Sequence, residues 1–257
     1  MNATINVIEN RKSVRAYEER SIPEEVKQTI LRAAMRAPTA GNMMLYSIIE
    51  IRDQAIKDRL VETCDNQPFI ATAPLVLLFL ADYRRWMDYF EYSDVPHRCA
   101  EVGESMLVPM EGDLVLAACD ALIAAQTAVI AAESLGVGSC YIGDILENFE
   151  IHQEMFDLPR YVVPICLLCF GYPSEAARQR KMTTRFPPEY IVFKDKYRRL
   201  GGMDFRSMFA QREDRARKLG DDDPDIAWEM YRRKFSAEYA KEMRRSVARM
   251  LEWWREA

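Results

Sequence analysis

Arg11-Lys-Ser-Val-Arg15 places two guanidinium groups, an ammonium and a hydroxyl in one short run. Guanidinium forks match phosphate oxygens two at a time, and a serine hydroxyl completes such a site. A solvated charged turn has the same composition, so the run alone leaves both readings open. Cys166-Leu-Leu-Cys169 has the spacing of a redox or zinc pair. It lies, however, inside Tyr161-Val-Val-Pro-Ile-Cys-Leu-Leu-Cys-Phe170, an apolar run that reads as a buried strand. Residues three apart on a strand face opposite sides, so the two sulfurs should diverge. With no second such pair, these cysteines read as small apolar residues, and no metal site is expected. Of the 2 histidines, His152 reads as a surface residue of an amphipathic helix, and His97 reads as a structural residue with a substrate-facing role as the alternative. No G-x-G-x-x-G, P-loop or G-x-S-x-G is present, which argues against Rossmann, nucleotide-triphosphate and triad chemistry.

Composition narrows the class further. A chain of 257 residues with 49% hydrophobic and 29% charged side chains can fill one domain plus an appendage. The formal net charge of -5 gives no footprint for nucleic acid. The segment after residue 197 is mildly basic on an acidic body, which suits docking between protein surfaces. The longest apolar stretch, Leu114 to Val137, carries Asp120, Gln126 and Glu133. A charge near a bilayer centre costs ~2.5–3.5 kcal/mol, so a buried helix is expected and no membrane partner. Residues 1–10 lack the features of a secretory signal, which points to a cytoplasmic protein.

The elements that must position these groups follow from periodicity. Ser21-Ile-Pro-Glu24 reads as a capping box opening a helix to about Arg36. Pro38-Thr-Ala-Gly-Asn42 reads as a loop, Tyr46 to Arg52 as a strand and Gln54 to Cys64 as a helix. Ala73 to Ala81 is a continuous apolar run, expected as a central strand. Residues 83–112 are aromatic and charged without a clean period. A long apolar helix over Asp113 to Leu135 should end at Gly136. Ser139 to Ile142 is short and extended, Ile145 to Phe156 is helical, and Tyr161 to Phe170 is a second central strand. After a break at Asp221-Asp-Asp-Pro224, Asp225 to Glu256 reads as one long charged helix. Its Trp228, Tyr231, Phe235, Tyr239, Met243, Val247, Met250 and Trp254 form an apolar stripe.

The order of these motifs resembles the nitroreductase family. Arg11-Lys-Ser-Val-Arg15 precedes a helix, and Ala37-Pro-Thr-Ala-Gly-Asn42 follows it. Leu135-Gly-Val-Gly-Ser-Cys-Tyr-Ile-Gly143, Phe170-Gly-Tyr-Pro173 and Thr184-Arg-Phe-Pro187 come after in turn. The resemblance covers about Ile5 to Tyr197. It implies an α+β, three-layer fold: a central, mostly antiparallel sheet flanked by helices, in an interlocked homodimer. Residues 1–197 form the FMN-binding domain, 83–112 its variable insertion or lid, and 198–257 a helical extension.

The resemblance also assigns roles. FMN sits at the homodimer interface, with NAD(P)H as co-substrate. Arg11, Ser13 and Arg185 hold the phosphate, with Lys12 beside them. Arg15 lies near the flavin pyrimidine ring. Pro38, Thr39 and Asn42 line the site, and the Asn42 amide bonds the isoalloxazine. Ile142, Gly143 and Asp144 carry the backbone that reaches flavin N5. Trp86, Tyr89 and Phe90 are expected either to form part of a lid, since aromatic rings suit a planar acceptor, or to lie on a surface excursion packed against the partner subunit. The implied activity is an oxidoreductase moving a hydride from NAD(P)H through flavin N5 to an electron-poor small molecule, such as a nitroaromatic or quinone, by a ping-pong scheme. A cation such as Arg15 near the pyrimidine stabilises the reduced, anionic flavin.

Two departures stand out. The family often has Gln-Pro-Trp after the asparagine, where this chain has Met43-Met-Leu-Tyr46. It often has a base two positions before the phosphate arginine, where this chain has Thr183, with Lys181 nearby. Residues 198–257 extend past the match and are expected to clasp a second subunit with the aromatic stripe. Reductive dehalogenation, flavin fragmentation and a non-catalytic flavin-binding or sensory role remain alternatives.

Overall fold

A computed structural model describes residues 2–255. Four strands, β1 (Tyr46–Ile51), β2 (Leu75–Asp82), β3 (Gly138–Ile142) and β4 (Val162–Gly171), form one antiparallel sheet in the order β1-β2-β4-β3. β2 and β4 are thus central, and every residue of β2 is buried. Leu75, Leu77 and Phe79 face one layer, and Val76, Leu78 and Leu80 the other. Cys166 belongs to the first of these clusters and Cys169 to the second, so the paired cysteines do face opposite sides of the sheet. The register slips between Phe79 and Leu80, which pair with Cys166 and Pro164. Proline has no N–H to give a ladder and is tolerated inside a central strand at such a bulge.

Helices cover both faces. α1 (Ala3–Asn10) and α2 (Glu24–Met35) precede β1, and α3 (Gln54–Thr63) and α4 (Phe69–Thr72) separate β1 from β2. α5 (Arg84–Tyr92), α6 (Val95–Glu101) and α7 (Glu111–Ser134) lead to β3, and α8 (Phe149–Met155) leads to β4. α2 and α7 cover the first face, where Ala121, Ala124, Ala125, Ala128 and Ala132 lie flat against the sheet. Alanine on that face lets a helix backbone approach the strands closely. α7 passes a length-and-composition test for a membrane span. Here it is a core helix on one side, and its other side exposes Val115, Leu116, Leu122 and Ile123. α7 ends as expected: Gly136 has φ 75°, its N–H donates to Glu133 O at 3.1 Å, and Val137 N–H donates to Ala132 O at 2.9 Å.

Several expected elements differ. The capping box at Ser21 does not form, because α2 begins only after Pro23 and no side chain caps it. Residues 83–112 are not irregular: α5 and α6 form there, separated at Asp94 with φ 59°. Trp86, Met87 and Phe90 already had helical spacing, and the flanking charges masked it. The helix expected over Ile145 to Phe156 is broken at Asn148, φ 51°, into a 3-10 turn over Gly143–Leu146 and α8. The last helix is also split. α9 (Glu175–Gln179) and α10 (Gly202–Lys218) are followed by α11 (Ile226–Met230), a π-helical turn over Tyr231–Phe235, and α12 (Glu238–Arg255).

The chain forms two compact units, one running to Arg180 and resuming at Glu242, the other Lys181–Lys241. In the second, Arg212 stacks on Phe186 at 4.1 Å, and Trp228 lies parallel to Tyr231 at 5.8 Å. The stripe expected to lie on a second subunit divides accordingly. Met250 and Trp254 bury themselves in their own chain with Met87, Leu114, Phe149 and Tyr161. Trp254 Nε1 donates to Met110 O at 3.1 Å, and Arg245 grips Glu150 through both nitrogens at 2.7 and 2.9 Å. Trp228, Tyr231 and Phe235 remain exposed. Trp254 is completely buried, so Trp254→Ala should cost about 3–5 kcal/mol. Urea unfolding measures this, and a loss near zero would show that α12 does not close this core.

Candidate functional site

Residues 11–17 run along the free edge of β3. Val14 N–H donates to Ser139 O at 2.9 Å, and Ser13 bridges Ser139 in the parallel sense. Gly138 permits this approach, since a Cβ there would stand 2.5 Å from Val14 Cγ2. Tyr17 bridges Pro173 and its hydroxyl donates to Val14 O at 3.0 Å, so the Gly-Tyr-Pro segment backs the basic run. Among the described residues neither Arg11 nor Arg15 has a carboxylate within ion-pair distance. Lys12 is engaged differently: its ammonium donates to Arg178 O at 2.6 Å and Arg180 O at 2.8 Å, at the carbonyl end of α9. Glu133 of α7 approaches this run, and burial raises its carboxyl above the usual range while Arg11 and Lys12 pull it down. Ser139 Oγ is buried without a partner among the described residues.

The end of β3 adds the next group. Arg15 lies 6.0 Å from the Phe69 ring centroid. The Cys140 thiol, raised by burial, is drawn back by Arg15 and Ser13. Ile142 is buried, while Gly143 is exposed with open space on its Cβ side. Gln67 Nε2 donates to Asp144 Oδ2 at 2.6 Å and to Cys64 O at 3.0 Å. Arg11, Ser13, Arg15, Ile142, Gly143 and Asp144 therefore form one continuous edge. An uncompensated cation pair beside open backbone is a donor set that fits a phosphate and a planar heterocycle.

Residues 38–45 are held elsewhere. Ala40–Asn42 makes a 3-10 turn, with φ 56° at Gly41, 57° at Asn42 and 51° at Met44. Positive φ at Met44 is costly and persists only where surroundings dictate it. Here Asp120 of α7 accepts from Ala40 N–H at 3.0 Å and Leu45 N–H at 3.1 Å. Thr39 Oγ1 accepts from Met44 N–H at 3.1 Å, Trp86 Nε1 donates to Met43 O at 2.8 Å, and Arg85 donates to Met44 O at 3.1 Å. Pro38 and Asn42 are exposed. Among the described residues no hydrogen bond joins residues 38–42 to 11–15 or 142–144. Of the aromatic trio, Trp86 and Phe90 pack into the core beside Met43, and Tyr89 is 56% exposed. Arg185 lies in the second unit, exposed, donating to Thr183 Oγ1 at 2.6 Å.

One of the two histidines departs from expectation. His97 is exposed, 3.4 Å from Glu101. His152 is fully buried rather than on the surface. Its Nδ1 lies 3.0 Å from Ile145 O and its Nε2 2.8 Å from Thr63 Oγ1. The carbonyl can only accept, so Nδ1 carries the proton and the threonine hydroxyl donates to Nε2. The alternation of residues 145–156 suggested a solvated face, but the break at Asn148 turns His152 inward. Sequence reasoning also missed Asp120, Gln67 and Glu147. Asp120 alone left a signal, as an acid set in the middle of an apolar helix.

A four-stranded antiparallel sheet between helical layers, edged by a basic run and an open Gly-Asp turn, defines the α+β class to which the nitroreductases belong. Residues 8–172 match the nitroreductase family, and the chain belongs to it. It is 32% identical over 198 residues to the FMN reductase [NAD(P)H] of Bacillus subtilis, covering 77% of this chain and 75% of that one. It is 28% identical over 200 residues to the oxygen-insensitive NADPH nitroreductase of Salmonella typhimurium, covering 78% and 77%. A solved structure from Bacteroides fragilis superposes with TM-score 0.82 at 28% identity, covering 96% of this chain and 97% of that one. A B. subtilis nitroreductase superposes at 0.76 and 26% identity, covering 93% and 98%.

Burial lowers the His152 pKa to about 4. A neutral buried imidazole stabilises the fold fully above its unfolded value of about 6.5, and that stability is lost as pH falls toward 4. The melting temperature should therefore drop between pH 6.5 and 4, by up to about 3 kcal/mol in stability. His152→Gln should flatten that slope, and an unchanged slope would refute the assignment.

Proposed function

We propose that this chain is an FMN-dependent NAD(P)H oxidoreductase acting on electron-poor small molecules such as nitroaromatics or quinones in the cytoplasm. The observation that carries this reading is the uncompensated pair Arg11 and Arg15 beside the open Gly143–Asp144 edge. Both close curated relatives are named for flavin or nitro reduction with a nicotinamide. FMN, when bound, supplies the hydride chemistry between the nicotinamide and the acceptor. Arg11 and Ser13 then hold the phosphate, with Lys12 steadying the run from behind and Arg185 adding a second guanidinium. Arg15 offsets negative charge at the pyrimidine, and the Gly143–Asp144 backbone meets N5. Pro38, Thr39 and Asn42 line the isoalloxazine, and Tyr89 is the lid residue free to meet substrate.

A homodimer belongs to this reading. The residue 38–42 loop and the residue 11–15 edge are not joined within one chain, and a second copy supplies the missing half. The exposed Val115, Leu116, Leu122 and Ile123 face of α7 offers it an apolar seat.

The visible spectrum of purified protein tests the cofactor: flavin bands with FMN released on denaturation are expected, and Arg11→Ala or Arg185→Ala should lower FMN content several-fold. A colourless protein that takes up no added FMN would sink the reading. Leu122→Glu should convert the dimer to monomer in sedimentation and lose FMN with it; a monomeric variant that keeps its flavin would refute the shared site.

A further inference from the structure

Behind the Gly143–Asp144 edge lies an acid with no assigned role. Glu147 follows the 3-10 turn, and its N–H donates to Asp144 O at 3.0 Å. Its carboxyl is 5% exposed, and Oε1 has no partner among the described residues. A buried carboxyl oxygen without a partner is costly unless the group is neutral or finds a donor. The groups facing it are acidic from each side: Asp144 in its own turn, Asp65 from the α3–α4 connection, and Glu242 from α12. Glu242 is itself satisfied by Arg245 at 2.8 Å and by Asn148 N–H at 3.2 Å. The neighbouring Cys64 thiol is raised by burial, and His152 of α8 is neutral. Among the described residues, the charged groups acting most strongly on Glu147 are all acids.

Asp144 is half-buried beside Glu147 and already has one protein donor. Gln67 gives its carboxylate one N–H and spends the other on Cys64 O. A carboxylate accepts through several lone pairs, and a protonated Glu147 can donate to one of them. A negative charge on Glu147 would stand against Asp144 beside it, and the Glu147 proton relieves that repulsion by bonding toward Asp144. Resting on the reading that this turn borders flavin N5, we propose that Glu147 is a positioning residue whose proton, shared with Asp144, holds the Gly143–Asp144 backbone in shape for the flavin. Losing that proton sets two like charges against each other inside the turn. The backbone donor then moves, and the cofactor's environment moves with it.

Burial, with Asp144 and Asp65 behind it, raises the Glu147 carboxyl to about 8. A raised acid contributes its stability fully below the unfolded value of about 4.5 and loses it as pH rises to about 8. The experiment is the midpoint potential of the bound FMN against pH, from 6 to 9.5, with the melting temperature of the apoprotein recorded alongside. Wild type should show a break in potential near pH 8 and a falling melting temperature up to it. Glu147→Gln, which keeps the donor and cannot ionise, should abolish the break and flatten the melting curve. Asp65→Asn is a second variant: Asp65 is exposed with φ 57°, which asparagine accepts, and removing its charge should move the break toward acid. A break that persists in Glu147→Gln, or one that Asp65→Asn leaves in place, overturns the assignment. Wild-type protein without FMN would sink the functional reading itself, whereas bound FMN with a pH profile indifferent to both variants sinks this inference alone.

Discussion

β2 and β4 are buried on both faces, and most of the molecule follows from that constraint. A strand apolar on both sides cannot lie at a surface, so helices must cover the sheet twice over. α7 is the larger cover, and its alanines set how close it comes. The interior of the sheet is thereby closed to chemistry. Polar work is displaced to the ends and edges of strands, and the basic run and the Gly-Asp turn both sit at the β3 edge.

Those edges are loops, which need outside support to hold one shape. In each case a buried polar group gives it. Asp120 reaches out of an apolar helix to two backbone N–H groups of the residue 38–45 loop. His152 fixes Ile145 O from below, and Gln67 pins Asp144 from the side. Each anchor is expensive to bury and inexpensive once its partners are met, so each couples loop shape to the folded core. The positive φ at Met44 is sustained by such a framework. Where the family often has Gln-Pro-Trp, this chain turns Met43 and Met44 toward apolar neighbours and uses their carbonyls as acceptors for Trp86 and Arg85.

Electrostatics divide the site edge into two regions. Among the described residues Arg11 and Arg15 make no ion pair at contact distance, which leaves them open to an anion. The far side of the same edge is acidic, with Asp144 and Glu147 back to back. An anionic ligand is thereby favoured at the basic end and disfavoured at the acidic turn.

By itself the sequence determined the strands, the core and the family. Continuous apolar runs named β2 and β4, a glycine ended α7, and the alternation of a strand foretold that Cys166 and Cys169 would part. Short-range periodicity carries that information because burial is read residue by residue along one element. The basic run of residues 11–15 and the Gly143–Asp144 turn were also legible as motifs, and folding sets both at the β3 edge. What only the tertiary structure decided were matters of long-range pairing and of breaks within helices. Positive φ at Asp94 and Asn148 has no periodic signal, so the break between α5 and α6, and the inward turn of His152, could not be read from the chain. The stripe of the last helix announced that it must cover something, but a stripe does not name its partner. Trp254 chose its own chain because Met110, Leu114 and Tyr161, far away in sequence, form the hollow that fits it. Glu147 and Gln67 gained their meaning the same way, since a carboxyl or an amide acquires a role only from the groups that folding sets against it.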